Sequence, residues 1–197
     1  AVFIGNRADD ILTGLFFGPV AIGLYRFAYR LVDTIVDGLS RSLQSVALPE
    51  LSRLQDRRAE FADRMVSIIT VSGLLVVPVL AVLAVTGPSL LAVIGDNWTA
   101  ASKALAVLCA VGSLRALNML SAPMLQALGR PHLLAGYAWV SAVLSTAGFL
   151  AAGILLRGSP VADQVMWMAL SRLAVYVIFL VVNGALIVRM CSIPAWH

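Results

Sequence analysis

The chain has 197 residues and a mass of 20.9 kDa; 60% of its residues are hydrophobic, only 12% are charged, and the mean hydropathy is +0.94. A soluble domain carries about 25% charged residues, so this composition excludes an ordinary soluble enzyme or binding domain and indicates a membrane protein. The net charge of +4 comes from 13 Arg and one Lys against 10 acids. These arginines are scattered through apolar stretches without interleaved aromatic residues, so they do not indicate nucleic-acid binding.

The apolar stretches predict an all-α membrane protein, because a spanning helix needs about 20 mostly apolar residues. Prolines separate the stretches; proline lacks an N–H and disfavours helix in the residue before it. We place the breaks at Gly18-Pro19, Pro49, Gly87-Pro88, 129–131 and 157–160. The predicted bundle covers 1–189 and is followed by a cytoplasmic tail at 190–197. It contains six passes, of which the first is truncated: 1–18, 22–48, 65–87, 101–128, 132–156 and 164–189.

Two segments between the passes carry polar residues. Residues 49–64 (PELSRLQDRRAEFADR) predict an amphipathic helix at the membrane surface, whereas 88–100 are too short to cross and predict a short interfacial helix and a loop. Arginine and lysine in short loops mark the cytoplasmic side. The side of 49–64 carries most of them and is therefore predicted to be cytoplasmic; its basic residues are Arg53, Arg57, Arg58, Arg64, Arg130 and Arg189, against Lys103 and Arg157 on the other side.

The second predicted pass carries a stripe of charged residues on one side of the helix. Ionisable side chains within a membrane are costly unless they face a partner or a wet cavity. At about 100° per residue, the stripe comprises Arg26, Arg30, Asp33, Asp37 and Arg41, joined by Gln44. The pairs Arg30–Asp33 and Asp37–Arg41 have the spacing of intrahelical ion pairs. Two alternatives stay open, in which the charges only hold the bundle together or the helix lies flat among headgroups; we favour a stripe that faces a hydrated cavity.

Three other passes also carry polar groups. Asp9 and Asp10 in the first pass are adjacent and cannot share one face, so we expect at least one to pair with an arginine elsewhere. Arginine stays charged and binds phosphate with two parallel hydrogen bonds, so a cavity lined this way suits an anionic ligand that bears phosphate and sugar. For any single arginine, a structural ion pair is an equal interpretation. The ligand-contact candidates are Arg26, Arg30, Arg115, Asn118, Gln126, Arg172, Tyr176 and Asn183.

The sequence shows no constellation typical of an enzyme or a metal site. His132 and His197 have no cysteine, histidine or acid at ligand spacing around them. There is no G-x-S-x-G elbow, no glycine-rich phosphate loop that opens a helix and no HExxH. Cys109 and Cys191 form no disulfide framework. We therefore expect a protein that is not an enzyme and uses no cofactor.

Several segments, in order along about 1–155, resemble a known family. They are 10–14 (DILTG), 18–28 (GPVAIGLYRFA), 48–55 (LPELSRLQ), 95–101 (GDNWTAA) and 127–130 (ALGR). Together they resemble the C-terminal half of bacterial polysaccharide transporters, the Wzx-like oligosaccharide flippases of the multidrug/oligosaccharidyl-lipid/polysaccharide superfamily. In the last pass only the general character is similar.

The resemblance implies twelve to fourteen helices in two bundles around a central cavity, in the bacterial cytoplasmic membrane. Such proteins move a polyprenyl-diphosphate-linked oligosaccharide to the outer leaflet by alternating access, coupled to an ion gradient. Only the second bundle is present, so we expect the N-terminal half as a partner outside this chain, besides membrane lipid and the lipid-linked substrate. The candidate diphosphate or sugar contacts are then Arg26, Arg30, Arg115 and Arg172. The candidate counter-charges or ion-coupling groups are Asp33, Asp37, Asp9 and Asp10.

Other functions remain as alternatives. A flippase for the lipid-linked peptidoglycan precursor or a drug exporter belongs to the same superfamily, but 48–55 favours the polysaccharide branch. A membrane glycosyltransferase or polymerase would need an acid-rich or histidine-bearing loop, and the loops here are too short. A non-catalytic scaffold would not need four helix faces that carry arginine.

Overall fold

The structure, a computed structural model, describes the backbone of residues 2–54, 57–119, 126, 131–155 and 160–192. Side chains are described for most of 19–54, 57–119, 135–151 and 160–184. Throughout these ranges the chain forms helices joined by turns, and none of the described residues lies in a strand. The predicted all-α class is therefore confirmed.

The described chain contains five α-helices and one 3-10 helix. Three stretches are long and apolar enough to cross a membrane: Ala59–Ile94, Asp96–Asn118 and Val161–Val182. The last two helices match the fifth and sixth predicted passes to within a few residues. The elements are α1 (Val2–Arg53), α2 (Arg58–Ile94), the 3-10 helix (Asp96–Ala101), α3 (Ser102–Asn118), α4 (Pro131–Leu155) and α5 (Val161–Ser192).

Helix α1 shows that the predicted break at Gly18-Pro19 is wrong. The helix runs unbroken for 52 residues and contains both Pro19 and Pro49. A proline removes one backbone hydrogen bond, and a helix continues past it when the turns on either side keep theirs. The segments 1–18 and 22–48 are therefore not two antiparallel passes; from Val2 onward they form one helix, about 78 Å long at 1.5 Å per residue.

Helix α2 likewise passes through the predicted break at Gly87-Pro88. It continues to Ile94 and ends at Gly95, whose φ of 149° is a backbone conformation that side-chain-bearing residues rarely adopt. The Gly95 N–H donates to the Leu91 carbonyl at 3.1 Å. The segment 88–100 is therefore the last turns of α2 and most of the 3-10 helix, rather than an interfacial helix followed by a loop.

The polar segment 49–64 forms the corner between α1 and α2. The prediction that it is a separate amphipathic helix at the membrane surface is therefore wrong. The segment's apolar side chains Leu51 and Phe61 are buried in a small cluster of their own with Ala47 and Met65, which flank the segment. Across the corner, Arg64 Nε donates to Glu50 Oε2 at 2.6 Å and Arg64 Nη2 donates to Glu50 Oε1 at 2.8 Å. This hydrogen bonding holds the pKa of the Glu50 carboxyl below its usual value. The apolar side thus packs across the corner instead of on lipid.

The main core lies where α1, α2, α3 and α5 meet, and α4 packs on α1 and α5. Gly112 of α3 sits at the centre of this contact: a Cβ there would collide with Val32 of α1 and lie 2.9 Å from Leu80 Cδ1 of α2. Only a hydrogen atom fits, so glycine permits the close approach of three helices. Fully buried side chains of the main core include Val36, Val76, Leu80, Leu105, Leu108 and Met168.

Candidate functional site

Between residues 23 and 45, the exposed face of α1 carries only small or polar residues among the described side chains. Its members recur every three or four residues, which places them in one stripe along the helix. From Arg26 to Arg41 the stripe extends about 22 Å at 1.5 Å per residue. The exposed residues among the described side chains from 23 to 45 are Gly23, Arg26, Arg30, Thr34, Gly38, Arg41 and Ser45. We call this surface the α1 polar face.

Helix α2 presents the opposite kind of surface. Most of its exposed side chains from residue 71 to residue 94 are apolar, among them Leu74 at 74%, Val85 at 81% and Val93 at 87% exposure. Such a surface suits lipid, whereas arginines facing acyl chains are costly. The two helices therefore need different surroundings: lipid around α2, and water or other protein against the α1 polar face.

Two acids at the edge of the α1 polar face turn toward α3 and meet Arg115. The Arg115 guanidinium donates from Nη1 to Asp33 and from Nη2 to Asp37 Oδ1, the latter at 2.7 Å. Arg41 donates from Nη2 to the other oxygen of Asp37, at 3.0 Å. The cluster contains two acids and two arginines, so its formal charge is balanced. Arg115, a predicted ligand contact, is thus held by the two predicted counter-charges.

The two ion pairs predicted within this helix have different outcomes. The Asp37–Arg41 pair is confirmed. The Arg30–Asp33 pair is wrong: Arg30 is exposed, and within the described side chains Asp33 pairs with Arg115 instead. The reason is placement, because Asp33 lies on the edge of the stripe nearest α3 while Arg30 points away from the bundle. Spacing along one helix does not show which neighbour another helix supplies.

Arg172 of α5 also reaches α1, where it meets two tyrosines. Its Nη1 donates to the Tyr25 hydroxyl at 3.4 Å, and its Cζ lies 4.6 Å from the centroid of the Tyr29 ring, a cation–π contact. The rings of Tyr25 and Tyr29 stack with centroids 6.1 Å apart. These two tyrosines were not among the predicted contact residues. Their spacing of four residues, one turn before Asp33, is the sequence feature that places them on one side of α1.

Of the remaining predicted residues, Tyr176 interacts electrostatically with Arg115. Asn118 is buried, and its Nδ2 donates to the Leu114 carbonyl in its own helix at 3.0 Å. Tyr176 is half-buried and Gln126 is exposed. The side chains of three further predicted residues, and of Gln44, lie outside the described residues; the three are Asp9, Asp10 and Asn183.

The four predicted arginine contacts therefore divide into two pairs. Arg26 and Arg30 lie on the α1 polar face, whereas Arg115 and Arg172 contact α1 from inside the bundle. A guanidinium is large, always charged and rich in donors, so one placed between helices needs acids or aromatic rings around it. Their roles toward a ligand stay predictions.

Apolar spanning helices together with an arginine-bearing face define a multi-pass membrane protein. A family profile described as "Polysaccharide biosynthesis protein" matches residues 1–103, and the chain belongs to this family of polysaccharide transporters. The chain is also 30% identical over 181 residues to the "Teichuronic acid biosynthesis protein TuaB" of Bacillus subtilis (strain 168). That match covers 91% of this chain and 35% of the relative, so the chain spans about a third of the relative's length. No solved structure matches the chain.

Proposed function

We propose that this chain forms one bundle of a flippase that moves a polyprenyl-diphosphate-linked oligosaccharide across the bacterial cytoplasmic membrane during polysaccharide synthesis. The α1 polar face lines the aqueous cavity between this bundle and the N-terminal half of the transporter, and Arg26 and Arg30 contact the diphosphate or the sugars. Asp33 and Asp37 serve as counter-charges. Transport proceeds by alternating access, without a catalytic step.

The observation that carries this proposal is the contrast between the exposed sides of α1 and α2. From residue 23 to residue 45, over about 33 Å and so close to the thickness of the bilayer core, the described exposed residues of α1 include no large apolar side chain. Val20 and Val46, just beyond this range at either end, are exposed. Three of the exposed residues within the range are arginines, which bind phosphate and repel cations. This charge favours an anionic lipid headgroup over the cationic drugs that an exporter of the same superfamily would carry. The relative named for teichuronic acid synthesis supports a polysaccharide context.

The test is transport by the full-length protein in liposomes. The substrate is a polyprenyl diphosphate carrying a fluorescent oligosaccharide, and a membrane-impermeant quencher reports which leaflet holds it. We expect protein-dependent movement that falls about tenfold in Arg30→Gln. Arg53→Gln, an exposed arginine on the same helix beyond the polar face, is the matched control and keeps the wild-type rate.

Three results would contradict the proposal. Movement no faster than in protein-free liposomes would exclude the flippase function. Wild-type movement by Arg30→Gln would exclude the α1 polar face as the path of the headgroup. A protein that moves the peptidoglycan precursor but not this substrate would belong to the other branch of the superfamily.

A further inference from the structure

Arg41 and Arg115 share the carboxylate of Asp37 but are held very differently. Arg115 reaches Asp33 and Asp37 with both ends of its guanidinium, comes from another helix and is 23% exposed. Arg41 makes one hydrogen bond to Asp37, four residues earlier in the same helix, and its side chain is 75% exposed. Exposed pairs at this spacing contribute little to stability. Arg41 can therefore leave Asp37 while Arg115 still donates a hydrogen bond to that carboxylate.

The surroundings of Arg41 leave room for a ligand. Between it and Arg30 the α1 polar face carries Thr34 and Gly38, and within the described part of the chain no atom outside the backbone of this helix lies within 4 Å of where a Gly38 Cβ would be. Arg41 is also the arginine of this face nearest the corner between α1 and α2. In the orientation predicted from the loop charges, that corner is cytoplasmic.

We propose that Arg41 is a further anion-binding residue, the first arginine of the α1 polar face that a diphosphate headgroup meets from the cytoplasmic side, and that the headgroup displaces it from Asp37. The inference rests on the proposed flippase function. A phosphate group accepts two parallel charge-assisted hydrogen bonds from a guanidinium, against the single bond that Asp37 accepts from Arg41. Arg115 stays in place, so Asp37 keeps a partner during the exchange.

We expect two substitutions to change the affinity for diphosphate in opposite directions. Arg41→Gln removes the binding group, and we expect it to weaken diphosphate binding about tenfold. Asp37→Asn removes the competing carboxylate but keeps Arg41, and we expect it to tighten binding about threefold. Arg53→Gln is the matched control and is expected to bind as the wild type. A purely structural role for the Asp37–Arg41 pair would shift binding in the same direction for both variants.

The experiment measures binding of geranylgeranyl diphosphate to the full-length protein in detergent by calorimetric titration, with inorganic diphosphate as competitor. Melting temperatures show which variants are folded, and Arg41→Gln alone carries the test if Asp37→Asn does not fold. We expect inorganic diphosphate to displace the lipid, since the arginine recognises phosphate. No displacement, unchanged binding in Arg41→Gln, or weaker binding in a folded Asp37→Asn would overturn the inference. Absence of binding to the wild type would instead overturn the proposed function, and the inference with it.

Discussion

Arg115 joins α3 to α1 through charge. Its guanidinium donates to Asp33 and to Asp37, and Asp37 also accepts from Arg41. An arginine inside an apolar stretch needs a partner or water, and here acids of a neighbouring helix are the partners. The arrangement depends on how α1 and α3 pack, because the two acids and Arg115 lie about 80 residues apart in the chain.

Removal of the Arg115 guanidinium tests its role as a structural counter-charge. Arg115→Gln leaves two half-buried carboxylates next to each other without their shared partner. We expect it to lower the free energy of unfolding by about 2 kcal/mol, because a partly buried charge that loses its partner is destabilising. Denaturation of the purified protein in detergent measures the change.

A variant that also lacks the two carboxylates provides the control for this prediction. If the loss arises from uncompensated acids, adding Asp33→Asn and Asp37→Asn to Arg115→Gln recovers most of the lost stability. Wild-type stability of Arg115→Gln, or no recovery in the triple variant, would contradict the assignment of these three groups as one electrostatic unit.

At the scale of the helices, hydropathy predicted where most of them lie but not where they end. The fifth and sixth passes match α4 and α5, while three predicted ends at prolines are wrong because α1 and α2 continue through Pro19, Pro49 and Pro88. One missing hydrogen bond does not end a helix whose neighbouring turns are intact. Helix α2 ends at Gly95, which has a positive φ. Nothing in the apolar stretch before it indicates this position as the end of the helix.

The packing of α1, α2 and α3 at Gly112 gives a prediction at the same scale. Gly112→Ala places a methyl group against Val32 and Leu80, and we expect it to destabilise the protein by about 1–3 kcal/mol through overpacking. Gly136→Ala in α4 is the matched control, since Gly136 is exposed and none of the described atoms outside its own helix backbone lies within 4 Å of the added carbon. There the helix preference of alanine should stabilise the protein by about 0.5–1 kcal/mol. Thermal unfolding in detergent compares them, and equal stability of the two variants would refute close packing at Gly112.

At the scale of the whole molecule, the chain has two kinds of outer surface. The charged stripe of the sequence predicted that this side of α1 does not face lipid. In the structure the stripe consists of exposed arginines and of acids that turn toward α3. The apolar exposed side of α2 requires lipid. A chain with both surfaces fits a position between the bilayer and a water-filled interior, which is the arrangement on which the proposed transport depends.

The most direct test of that arrangement is the aqueous accessibility of single cysteines in native membranes. In full-length protein without native cysteines, Thr34→Cys places a thiol on the α1 polar face, and Val82→Cys places one on the exposed apolar side of α2. We predict that a membrane-impermeant maleimide labels Thr34→Cys in intact membranes, whereas it labels Val82→Cys only after detergent removes the lipid. If Thr34→Cys is also labelled only after detergent, the α1 polar face does not line a watery cavity.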